Sequence, residues 1–388
     1  MPDRKFSSSL SRFLFATFVT VLTAALSGCE GLPPVQSATV ASHFLYAIAR
    51  PESVVAHRIN PDGSLVAIPN SPFPAPSGPN SIAAGGQFIF VGGWGPFQGS
   101  AISNGQTITT YRQDPATGAL TVVATQPRDN LHLPLFMVSS ADARFLFVVN
   151  ESGSLEVHSV AANGQLTQVY EADAQFHAFS APVSHPNGRF LYVWAQENPS
   201  QPAIFRFRLD PGTGVPVEVL QIQTTALSGI RITPDGRFLL AFSPQPDGYD
   251  LCSFSLNPLT GLPPTDTLNQ AIPTSCVFAG AVPTGIAVHP SGKFVALTQW
   301  TTADGSTGTV VVRTVEGGNL GPISGTPQDV GAQALTPRFS PDGKLLFVFN
   351  HLTASKINVF AVGATAGDIS TVPGSPFDMG NTGSPVIH

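Results

Sequence analysis

The chain has 388 residues, of which only 11% are charged, while glycine (37), proline (36) and phenylalanine (27) are abundant. Such a mixture fits many short apolar strands joined by tight turns, with a surface made largely of Ser, Thr, Asn, Gln and Gly. A formal charge of −6 without any run of Lys or Arg argues against a nucleic-acid partner. No CxxC, CxxCH or HExxH occurs, so zinc, c-type haem and zincin chemistry have no support and no cofactor or metal is expected.

The N-terminus reads as a targeting segment. Arg4, Lys5 and Arg12 form a basic region, and Phe13 to Leu26 is an apolar run too short to span a bilayer comfortably. Leu26-Ser-Gly-Cys29 then resembles the lipobox of bacterial lipoproteins. That resemblance implies acylation of Cys29, attachment to a membrane through an N-terminal lipid, and residence in the cell envelope. Glu30 stands where an inner-membrane retention signal would show aspartate, which favours the outer membrane. Residues 1–28 are thus expected to be a lipoprotein signal peptide, 29–41 a tether carrying Pro33-Pro34, and 42–388 a single domain.

From residue 42 one unit recurs at roughly 50 residues, in the range of propeller blades. Its clearest form is Arg338-Phe-Ser-Pro-Asp-Gly-Lys-Leu-Leu-Phe-Val-Phe-Asn350, a tight turn feeding an apolar run too short for a helix. Near copies run over Ile230 to Phe242, Ile286 to Leu297, Val183 to Val193 and Val138 to Val149. Taking the four strands of a unit as a to d, strand b is expected at His43 to Ile48, Phe88 to Val91, Phe145 to Val149, Phe190 to Trp194, Phe238 to Phe242, Phe294 to Leu297 and Leu345 to Phe349. Asp114-Pro-Ala-Thr-Gly118, Asp210-Pro-Gly-Thr-Gly214 and Asn257-Pro-Leu-Thr-Gly261 are c–d turns of one form. A Gly-rich insert, Gly92 to Gly105, interrupts the second unit. The first unit lacks a strand a, and Gly383-Ser-Pro-Val-Ile-His388 is expected to supply it and close the ring. The fold class is therefore all-β, a seven-bladed β-propeller of four-stranded antiparallel blades.

These Pro-Asp-Gly-Lys/Arg-Phe-Leu and Asp-Pro-x-Thr-Gly units resemble the lactonase-type seven-bladed propellers, which include bacterial 6-phosphogluconolactonases, and related YVTN-type surface propellers. Asp142-Ala-Arg-Phe-Leu-Phe-Val-Val-Asn150-Glu151 is the closest match to that blade pattern. Enzymes of the family share an Arg-His pair near the start of an inner strand. Here Ala181-Pro-Val-Ser, Ser228-Gly-Ile-Arg and Pro283-Thr-Gly-Ile stand at such places, and Arg231 and Arg338 lie on inner strands without a neighbouring histidine.

In a propeller the starts of the inner strands and the d–a and b–c loops converge on one mouth of the channel, the default binding site. A lactone hydrolase needs a base for water, a positive or N–H group for the oxyanion and an acid for the leaving oxygen. His132 or His177 with Glu151 and Arg128 are the candidates for those roles. Trp94, Phe97, Asn350 and His351 are candidate ligand-binding residues, the aromatic ones able to stack on a sugar ring or anchor a protein. With Cys29 spent on lipid, Cys252 and Cys276 are either bridged, as an exported compartment would allow, or separately buried. The reading favours a binding or scaffolding role at the channel mouth, with a small molecule, carbohydrate or protein as partner. Hydrolysis of a lactone or related ring ester is the alternative.

Overall fold

The structure is a computed structural model that describes residues 43–388, apart from 99–100, 103–104, 129–131, 173–176, 179–180, 199–200, 224–227, 351–354 and 381. Cys29 and His351 therefore lie outside the described residues. Seven antiparallel sheets follow one another along the chain, and no helix occurs among the described residues. The third blade shows the plan: strand a at Pro134–Ser139, b at Phe145–Asn150, c at Leu155–Val160 and d at Leu166–Ala172, paired in that order.

Burial explains the sequence pattern. Strand b lies between neighbouring strands and between neighbouring blades, so Phe145–Asn150 is buried at every position and is apolar up to Val149. Strand d is the rim; in Leu166–Ala172 only the first residue is fully buried. Fully burying each Phe or Val of strand b stabilises the fold by about 1.5–3 kcal/mol.

The a–b turns are built as their residues dictate. In Ser340 to Gly343 the glycine amide donates to the Ser340 carbonyl at 2.9 Å, and the Ser340 hydroxyl donates to Asp342 at 2.6 Å. Asp342 also accepts from the Lys344 amide at 3.1 Å. Gly343 has φ of 74°, and a Cβ there would run into the imidazole of His289 from the blade before. That imidazole donates through Nε2 to the Gly343 carbonyl at 2.9 Å; His185 does the same to Gly236. These two histidines are inter-blade clasps, which explains their place beside the turns. A second clasp joins strand b to the next blade's c–d turn: Tyr46 donates to the Gly118 carbonyl at 2.7 Å and Tyr192 to that of Gly261 at 2.6 Å.

The ring closes as expected. Strand Thr382–Ile387 pairs with strand His43–Ala49, and Phe44 and His388 exchange both backbone hydrogen bonds at 2.8 Å. Cys252 and Cys276, directly opposite one another on strands c and d of the fifth blade, form a disulfide. Two local features were not legible beforehand. Part of the Gly92 to Gly105 insert folds into its own ribbon, Phe97–Gln98 against Ala101–Ile102. The fourth blade's strand a is split into His177–Ala178 and Val183–Ser184.

Candidate functional site

The blade register places one residue of every inner strand at the same level of the channel. Opposite equivalent residues of strand b stand Val386, Ala83, Val138, Val183, Arg231, Ala287 and Arg338, one from each blade in order around the ring. Five are small or branched apolar residues. The two arginines come from the fifth and seventh blades, each three residues before its turn proline, Pro234 or Pro341.

Two cavities meet at this level. The one at the mouth where inner strands begin measures about 520 Å³ and is bordered by Asn80, Ser81, Thr284 and Thr336 among others. The one towards the other end measures about 380 Å³. Arg231 and Arg338 border both, as do Ile82, Met137, Ala181 and Val386, so the two arginines are the charged members of the waist between the cavities. Neither cavity has an aspartate, glutamate or histidine among its described lining residues. Among the described residues the protein acceptors for these guanidinium groups are the carbonyls of Ile230 (2.7 Å) and Pro337 (3.4 Å), each next door in the chain. Burial, and next the charge of Arg338, pull Arg231 down to about 9; burial likewise lowers Arg338. Both remain charged at neutral pH.

Among the described lining residues of these two cavities, Arg128, His132, Glu151 and His177 do not occur. Arg128, which follows strand d of the second blade, reaches into the third and forms a two-pronged ion pair with Glu156 of strand c. Its side chain is 3% exposed and that of Glu156 1%. Arg128 also donates to Asn150 at 3.1 Å and to the His132 carbonyl at 2.9 Å. Fully buried His158 meets Glu156 at 2.6 Å, leaving its Nδ1 without a partner among the described residues. Burial would raise the Glu156 carboxyl, but hydrogen bonds from His158 and Arg128 outweigh it and hold the group down at about 2. His132 pairs with Glu171 at 2.6 Å, both partly exposed. A ring nitrogen of His132 and carboxylate oxygens of Glu156 and Glu171 lie within 4.8 Å of one another, a spacing compatible with a cation. Each of these groups is, however, already bonded to another side chain.

Glu151 is exposed in the turn after strand b, and its amide donates to the Leu133 carbonyl at 2.9 Å. His177 pairs through its backbone with Gln196, and its side chain is outside the described residues, as is that of Phe97. Trp94 donates to the Pro134 carbonyl at 3.2 Å and borders a separate cavity with Arg50 and Glu52. Asn350 spends its amide on the carbonyls of Val330 and Ala332. The structure thus gathers Arg128 with His132 in a blade-to-blade network, and Arg231 and Arg338 are the charged residues among the described lining of the channel. Their shared position in the repeat was the sequence signal for that pair.

A family model described as lactonase, 7-bladed beta-propeller, matches residues 90–210. The fold is that of the lactonase-type seven-bladed propellers. Among solved structures, a candidate 6-phosphogluconolactonase of Bacteroides fragilis aligns with a TM-score of 0.68 at 16% identity, covering 91% of this chain and 99% of the other. The periplasmic gluconolactonase of Pseudomonas aeruginosa aligns at 0.65 and 19%, covering 89% and 99%. A candidate 6-phosphogluconolactonase of Bacteroides uniformis aligns at 0.66 and 16%, covering 90% and 100%. No curated protein matches the sequence. At these identities the lactonase-like likeness establishes architecture and leaves the reaction to the site.

Proposed function

We propose that the protein hydrolyses a lactone or related ring ester bound in the mouth of its channel. The observation that carries this reading is the concave, polar-rimmed cavity with two cations at its floor, set in a lactonase-type propeller. The names of the similar structures, two candidate 6-phosphogluconolactonases and a gluconolactonase, support a ring ester over a protein ligand. A binding role alone, which the sequence favoured, explains the cavity but not the family match.

The chemistry asked of the site is modest. Water adds to the ring carbonyl, the tetrahedral oxyanion forms, and the ring C–O bond breaks to give a hydroxy acid, the proton passing to the departing oxygen. Arg231 and Arg338 are the groups placed to stabilise the oxyanion, where a fixed charge in a partly dry site acts more strongly than in water. Turnover of a panel of five- and six-membered sugar lactones, followed by proton release against the spontaneous rate, tests the proposal. Wild-type protein should exceed background, and Arg338→Gln should lower kcat by about a hundredfold. Folded wild-type protein that never exceeds background across the panel returns the reading to binding.

A further inference from the structure

Two arginines of the same sign face one channel, and no described carboxylate shares it. Arginines removed from bulk water are normally paired, because an unpaired charge loses hydration that nothing replaces. The other five members of their ring are alanine or valine, so the ring itself offers no compensating charge. The two blades that carry them are separated by one whose equivalent residue is Ala287. The charge of Arg338 is felt at Arg231, where it adds to the lowering by burial. Each planar guanidinium has five N–H donors, and those left over by the neighbouring carbonyls are free of protein acceptors among the described residues.

We propose that the channel waist is an oxyanion-binding site, in which Arg231 and Arg338 together hold a small carboxylate- or phosphate-type anion. The fork of a guanidinium matches the two oxygens of such a group. An anion there neutralises the repulsion and bridges the fifth and seventh blades. The cavities on either side, about 520 and 380 Å³, leave room for a free anion or for the acidic end of a larger molecule. This inference stands on the channel geometry and does not need the hydrolase reading.

The experiment is calorimetric titration and thermal melting of the whole protein with malonate, phosphate and gluconate at constant ionic strength, with chloride as the reference anion. Wild-type protein should bind malonate or phosphate and melt higher with it. Arg231→Gln and Arg338→Gln should each weaken binding by about ten- to a hundredfold. Arg231→Lys, which keeps the charge and loses the fork, should weaken it less. In chloride buffer without the three test anions the Gln variants should melt no lower than wild type, since each removes a repulsion; a purely structural arginine would lower the melting point. Binding of gluconate as well assigns the site to the acidic end of a larger molecule, and binding of malonate or phosphate alone assigns it to a free anion. The proposal is overturned if wild type binds none of the three more tightly than chloride, or if both Gln variants bind as tightly as wild type.

Discussion

Arg128 and Arg231 are the same side chain in opposite circumstances. Arg128 is enclosed by Glu156, Asn150 and a backbone carbonyl, and Glu156 in turn is held by His158, so every charge in that network has its complement. Arg231 faces open channel beside another arginine. A charge that the fold satisfies internally fastens one blade to the next. One left unsatisfied points to something from outside. Residue type and rough location did not separate these two cases; the separation lies in what surrounds each guanidinium.

The largest expected effect is on the satisfied side. Arg128→Ala strands Glu156 in a buried position, and breaking such a pair costs about 3–5 kcal/mol. Chemical denaturation of the variant checks it. A loss as small as that expected for Arg231→Gln would erase the contrast between the two arginines.

Acid should reveal the same network. The Glu156 carboxyl is depressed to about 2 in the folded chain, against an ordinary value of 4.5. Its contribution is fully present above the ordinary carboxylate range and drains away as the pH falls towards 2. Stability measured from pH 6 down to pH 2 should fall in that window, and the fall should be shallower in Glu156→Gln, which is less stable at neutral pH. Equal slopes in the two proteins would detach the pH response from Glu156.

The blades were legible because each is a local sentence: turn proline, aspartate, glycine and apolar run lie within about a dozen residues of one another, as Ser340 to Phe349 shows. Ring closure was legible too, because Gly383 to His388 copies an inner strand that the first blade lacks. The network of Arg128 was not. Its partners sit in another blade, 28 residues on at Glu156, and no spacing rule joins a residue after one strand d to the next blade's strand c. Arg231 and Arg338 are visible on their inner strands, but the sequence puts no histidine beside either and gives no reason to pair them. Their meaning comes from the circle of seven positions, which exists only once residues 43 to 388 have closed.

The smallest effect sets the scale for the others. Tyr46 crosses from the first blade to the second and donates to the buried carbonyl of Gly118, with the Gln113 side chain also bonded to its hydroxyl, a neutral contact that does the same mechanical task as the Arg128 network. Tyr46→Phe keeps the ring and its packing and deletes one donor. The net cost of such a bond is about 1 kcal/mol, somewhat more where the abandoned acceptor stays dry. Equilibrium denaturation should therefore rank Arg128→Ala well below wild type, Tyr46→Phe slightly below it, and Arg231→Gln level with it in chloride. Were Tyr46→Phe to cost as much as Arg128→Ala, blade-to-blade fastening would be a matter of geometry whatever the charge. The satisfied arginine would then owe nothing special to its ion pair, and the contrast with the channel would rest on the unsatisfied pair alone.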